Sequence, residues 1–238
     1  MNRATFRSSV LFSISLLFLF AAVGHAKTHD TKPNAYPTMA PLDQYLMPDR
    51  QEEINLARSA APDSISRDAE VLVLGRHGYE TAAQGTNGFV CLVERSWTAP
   101  KNDPNFWNPK LRGPICLNPP AARTYLPRTI KKTDLVLAGS SKEQMFEAVT
   151  AAIDKKELPA PEPGAMSYML SKQGRLNAEG TAWLPHLMFF APETASKVWG
   201  ADLPGSPIIT FQDTEEHMTV FLIPVRRWSD GTPAIPKS

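Results

Sequence analysis

The order of apolar and polar positions divides the chain into a leader, a strand-rich stretch, a helical centre and a second set of strands. Val10 to Val23 is almost continuously apolar, follows Arg3 and Arg7, and runs into Gly24-His25-Ala26. A positive start, an apolar run and a small-residue end form the pattern of a secretory signal peptide, cut after Ala26. The run has 14 residues, short of the roughly 20 that a membrane-spanning helix needs. Residues 27–48 show little periodicity and carry prolines at 33, 37, 41 and 48, which reads as an extended arm lying on the domain, or as disorder. Asp49, with Glu52 three positions on and Ile54, Leu56, Ala57 and Ala60 on one side, predicts a short capped helix that Pro62 ends.

Glu70-Val71-Leu72-Val73-Leu74 is β-rich and stops at Gly75. Asn87-Gly88 lies between two strand-like runs and predicts a two-residue hairpin. In that register Cys91 faces Gln84, Val93 faces Ala82, and Arg95 faces Glu80 as a cross-strand ion pair. Trp97 to Pro120, rich in Pro, Asn and aromatics, reads as a long ordered loop. Pro119-Pro120 opens a helical stretch, Pro127 starts a helix over Arg128–Ala138, and Gly139 closes it. Ser140-Ser141-Lys142-Glu143 then reads as a capping box ahead of an amphipathic helix with Met145, Phe146, Val149 and Ile153 on its inner stripe.

Four further strands are expected at Met166–Leu170, Leu184–Phe190, Ile208–Phe211 and Thr219–Val225, with a turn-rich insert at Gln173–Gly180 and one or two helical turns between Pro192 and Gly200. Strands, helices, then strands give an α+β class, a mainly antiparallel sheet with helices packed on one face. The expected organisation is a leader (1–26), an arm (27–48), one α+β domain (49–228) and a tail (229–238). Whether the strands make one sheet or two stays open at this point.

Charge narrows the function classes. Removing the leader takes away Arg3 and Arg7 and no acid, so the remainder carries 23 basic and 24 acidic residues. Such a balance, without a basic run, argues against nucleic acid and against a polybasic membrane patch. No transmembrane span is expected in the mature chain. Cys91 and Cys116 are the only cysteines, and in an oxidising compartment an even count favours a disulfide. Cys91 also sits in an apolar run that would raise, not lower, a thiol's pKa. The chain is therefore expected to be exported, to the periplasm or beyond.

Zinc-protease, Cys-x-x-Cys, nucleophile-elbow, phosphate-loop and dinucleotide signatures are all absent from the sequence. Three histidines remain in the domain, His77, His186 and His217, with His29 in the arm. Gathered at a sheet end with Glu80, they would suit zinc or copper, or act as an acid–base set. The favoured reading is structural: His186 as a core histidine bonded to a backbone carbonyl, His217 as a solvated strand start, Glu80 paired with Arg95. No cofactor is otherwise predicted. Trp97, Phe106 and Trp107 in the loop are candidates for a ligand-binding surface, against the alternative that they plug the end of the sheet.

The strings Gly85-Thr86-Asn87-Gly88-Phe89-Val90-Cys91-Leu92-Val93, Pro114-Ile115-Cys116, Ala165-Met166-Ser167-Tyr168-Met169-Leu170-Ser171 and Pro185-His186-Leu187-Met188 resemble a group of uncharacterised exported bacterial proteins. The resemblance covers most of residues 49–225 and implies export and a shared fold, with no activity or site residue attached. The expected function is a non-enzymatic binding or envelope-accessory module whose partner is a small molecule, a glycan or an envelope protein. The alternative is a hydrolase or metal-dependent enzyme using His186 with His77 or His217.

Overall fold

The computed structural model describes residues 36–175, 184–193 and 196–234. The leader, its cleavage point, His29, and residues 176–180 of the expected insert lie outside the described residues. The strands are β1 (Glu70–Gly75), β2 (Gly78–Ala83), β3 (Val90–Glu94), β4 (Gly113–Leu117), β5 (Met166–Met169), β6 (His186–Pro192), β7 (Ile209–Asp213) and β8 (Met218–Pro224). They form one eight-stranded sheet in the order β2-β1-β3-β4-β5-β6-β8-β7, antiparallel throughout except for the parallel pair β1–β3. The helices are α1 (Arg50–Arg58), α2 (Asp63–Ser66), α3 (Pro119–Thr124), α4 (Leu126–Leu137) and α5 (Lys142–Asp154). The class is α+β, as the order of elements predicts. Among the described residues no helix is long and apolar enough to cross a membrane.

The helix ends follow their capping chemistry. Asp49 accepts from the backbone N–H groups of Gln51 and Glu52 and starts α1. The capping box of α5 sits one residue later than expected, on Ser141 and Gln144. The cause lies in the preceding helix. Gly139, at φ +87°, donates to Val136 O and Ser140 donates to Leu135 O, so the backbone of Ser140 is spent closing α4.

The expected hairpin at Asn87-Gly88 does not form. β2 folds back on β1 through Arg76-His77, where Gly78 has φ +126°, and pairs with it from Gly75↔Gly78 to Val71↔Ala83. Asn87 instead donates to Ile65 O and accepts from Phe89 N, which steers the chain back along the other side of β1. Glu80 consequently pairs with Arg50, at 3.4 Å, and Arg95 with Glu53, at 2.8 Å and fully buried. The loop expected from Trp97 to Pro120 is also shorter than the sequence suggests, because its end is the central strand β4. Gly113 and Pro114 mask that strand, being poor strand formers by propensity.

Strand alternation sends Val71, Val73, Cys91, Val93 and Cys116 to one face, under Leu56, Ala57 and Ala60 of the first helical segment. Leu72, Leu92, Ile115 and Leu117 point the other way, toward Ala121 and Leu126 of α3 and α4. Helices therefore lie on both faces of the sheet and not on one as expected, because both faces of its central strands are apolar. Cys91 and Cys116 are direct cross-strand partners on β3 and β4 and form a disulfide. Trp97, Phe106 and Trp107 are buried with Tyr45, Leu74, Met145 and Phe146 at the end of the sheet. Trp97 Nε1 donates to Thr133 Oγ1 at 3.0 Å, and Tyr45 Oη donates to Trp107 O at 2.8 Å. The arm from Tyr36 onward is thus built into this cluster through Tyr45, which is completely buried.

Candidate functional site

On the α3–α4 side of the sheet, Met169, Met188, Phe190, Met218, Val220 and Leu222 wall a half-open cavity of about 160 Å³. Period-two alternation explains the wall. Met188 and Phe190 of β6 pair across to Leu222 and Val220 of β8, and all four point to the same face. His186 shares that face and closes one end. Glu94, Asp213, Glu216 and Tyr125, with Thr98 and Asp103, supply the rest of the polar lining.

Behind that polar end lies a buried charge network. Glu216 is held by the Lys132 ammonium, by Arg128 at 3.7 Å, and through its carbonyl by Arg128 Nη1 at 2.6 Å. Its backbone N–H donates to Asp213 Oδ1 at 3.0 Å. Lys132 reaches Glu216 from the inner face of α4, which carries Arg128, Thr129, Lys132 and Thr133 where an ordinary helix would carry aliphatics. Burial opposes the lysine's charge, but Glu216 and Asp213 outweigh it and hold the ammonium above its ordinary pKa.

Glu94 differs from Glu216. Its Oε1 accepts from Tyr125 Oη at 3.2 Å and from Thr129 Oγ1 at 3.3 Å, and among the described residues it makes no ion pair. Burial pushes its carboxyl up to about 7, with Lys132 and the two hydroxyls pulling the other way. Asp213 is pushed up to about 6 by burial and by Glu216. Tyr125 is raised well above the usual phenol value by burial and by Glu94. With three acids against Lys132 and Arg128, the network is one positive charge short when every acid is ionised.

A raised carboxyl pKa has a definite sign in stability. The folded Glu94 keeps its proton up to about pH 7, the unfolded one only to about 4.5. Its contribution is therefore fully present below pH 4.5 and is lost as pH rises through 7, a loss of roughly 3 kcal/mol. Asp213 acts in the same direction between 3.8 and about 6. His186, whose pKa burial lowers, acts oppositely and costs stability as pH falls below 6.5. We expect the stability difference between Glu94→Gln and wild type to shift by about 3 kcal/mol in the variant's favour from pH 4.5 to pH 8, read by urea unfolding. Parallel pH profiles for the two proteins would contradict this assignment.

The three histidines are not brought together. His77 sits exposed in the β1–β2 turn, four strand spacings from β6, roughly 19 Å. His186 Nδ1 donates to Leu184 O at 2.8 Å, as the structural reading anticipates. His217 precedes β8 at φ +48° and bonds Asp154 Oδ1 at 3.2 Å. His186 pairs with Pro224, so His217 lies seven residues further along β8, roughly 23 Å away. The structure therefore does not bring His77, His186 and His217 together, with or without Glu80, as one metal-ligand set for zinc or copper, nor His186 with His77 or His217 as an acid–base pair. Among the described residues no group of three or more His, Cys, Asp or Glu is placed to hold a metal. Trp97, Phe106 and Trp107 likewise do not form a binding surface, being 0, 1 and 7% exposed.

Sequence reasoning missed Glu94, Asp213, Glu216 and Lys132. One signal was available: the polar residues at helical spacing on the inner side of α4. Comparison of the chain with protein-family models, with curated proteins and with solved structures finds no match in any of the three.

Proposed function

We propose that this is an exported, disulfide-stapled binding protein whose cavity takes a small, mainly apolar molecule bearing one basic nitrogen. Glu94 carries the reading: a buried carboxyl on a mainly apolar cavity, with hydroxyl partners and, among the described residues, no ion pair of its own. A protonated amine would relieve the desolvation that raises its pKa and would supply the charge the network lacks. The volume sets the size of the ligand. A cavity of about 150 Å³ holds benzene, whereas drug-sized ligands need about 300–1,000 Å³. Export is supported by the leader pattern and by the joined cysteines, which belong to oxidising compartments.

Benzylamine and toluene are the test pair, with binding followed by calorimetry and by shifts of methionine methyl resonances. Benzylamine should bind at pH 8 with Kd of about 1 mM or tighter, and weaken toward pH 5 as Glu94 takes up its proton. Glu94→Gln should lose the preference for the amine while retaining toluene. Failure of both compounds to saturate the wild-type protein would end this proposal.

A second reading is favoured by the same carboxyl. An acid poised near neutral pH is suited to general acid–base work, so a hydrolase centred on Glu94 is the enzymatic counterpart. It requires turnover of a bound ester or amide that Glu94→Gln abolishes, and binding without turnover decides against it.

A further inference from the structure

A second cavity, of about 570 Å³, lies on another part of the molecule, between residues 44–48, α1 and the backbone around Arg112 and Arg175. Lys110, Arg112 and Arg175 line it, and among the described residues Glu52 is its one acidic lining residue, an excess of two positive charges. Arg112 and Arg175 form an isolated antiparallel bridge, each N–H donating to the other's carbonyl at 2.8 Å. Directly opposed residues of such a pair project to the same side with Cβ atoms about 5 Å apart, and like charges so placed repel.

Among the described residues no carboxylate lies within ion-pair distance of the Lys110, Arg112 or Arg175 side chains. The Arg112 guanidinium donates to the carbonyls of Pro109, Leu111 and Gln44, at 2.8, 2.7 and 3.3 Å. Burial, with Arg95 and Arg175 adding to it and Glu53 and Tyr79 opposing, pulls the Arg112 guanidinium down to about 10. A half-buried arginine beside a second one, with no direct ion pair among the described residues, is a setting that a bound anion would complete.

We propose that this groove binds an acidic saccharide, a sugar unit whose carboxylate or phosphate is clasped by Arg112 and Arg175. The guanidinium forks suit a planar or tetrahedral oxyanion, and Lys110 adds a third charge. Asn55 and Gln173, also in the lining, bring amide donors and acceptors suited to sugar hydroxyls. The volume lies in the range for a ligand of one or two rings.

The test uses glucuronate, glucose 6-phosphate, glucose and inorganic phosphate with the purified protein at low salt. Glucuronate or glucose 6-phosphate should bind saturably and lose affinity as salt rises, and glucose should not bind detectably. Arg175→Gln should weaken binding about tenfold, the worth of one charge-assisted contact, and Lys110→Gln by a smaller factor. Both side chains lie outside the core, and an unchanged urea midpoint will verify that each variant is folded. Glu94→Gln should leave this binding untouched, so its outcome is separate from that of the amine site. The proposal falls if neither acidic sugar saturates the wild-type protein, if folded Arg175→Gln binds as tightly, or if inorganic phosphate binds as well as glucose 6-phosphate.

Discussion

Lys132→Met lowers the unfolding free energy by about 3–5 kcal/mol at pH 7, the usual cost of removing one partner from a buried ion pair. Met keeps most of the side-chain volume, so little of the loss comes from packing. What remains is Glu216, 2% exposed, with Arg128 at 3.7 Å as its one cation and with Glu94 and Asp213 close by. Three carboxyls then compete for one guanidinium in a poorly solvated space. Denaturant unfolding of the single variants Lys132→Met and Glu216→Gln, and of the double variant, gives the decisive numbers. The double variant should cost less than the two singles added, by about 2 kcal/mol, because each single strands the other's partner. A Lys132→Met protein within 1 kcal/mol of wild type would show that water already neutralises this network.

Replacing Cys91 and Cys116 together by Ala should cost about 3.5 kcal/mol, the chain-entropy value for a loop closed at a separation of 25 residues. The staple joins two strands that already pair along their whole length, at the register Cys91↔Cys116. Its work is therefore done on the unfolded chain, by tethering the aromatic segment 97–112 at both ends. Urea unfolding of the oxidised protein, the reduced protein and the double Ala variant separates the bond from the side chains. Reduced wild type and the Ala variant should coincide to within about 1 kcal/mol, the packing difference at two small buried sites. No change on reduction would mean that unfolded-state order replaces the tether.

How much of this was legible in the sequence depended on how locally each feature is encoded. α5 was plain, since its stripe of Met145, Phe146 and Val149 and its cap are written within fifteen residues. β1, β6 and β8 were plain as well, because each is an apolar run bounded by turn residues. The partner of β3 was not. Asn87-Gly88 carries a strong local turn signal, yet two glycines at 75 and 78 made a tighter one, and the competition was settled by which strands pack together. β4 was hidden by Gly113 and Pro114, whose low propensity is overridden by neighbours on both sides. The disulfide followed from compartment and count alone. The cavity and its charge network were the least visible part, because Glu94 lies far in sequence from Asp213 and Glu216 and they meet Lys132 only once the sheet is formed. The histidines, chemically more conspicuous, stood out in the sequence and stand apart in space.

Tyr45 has a consequence for how the molecule reaches this state. Its carbonyl receives Arg95 Nε, its hydroxyl reaches the backbone of Trp107, and its ring lies 5.0 Å from that of Trp97. Every one of those seats is made by residues synthesised at least fifty positions later. The segment that leaves the ribosome early is thus kept waiting without a berth until residues 95–107 have followed it.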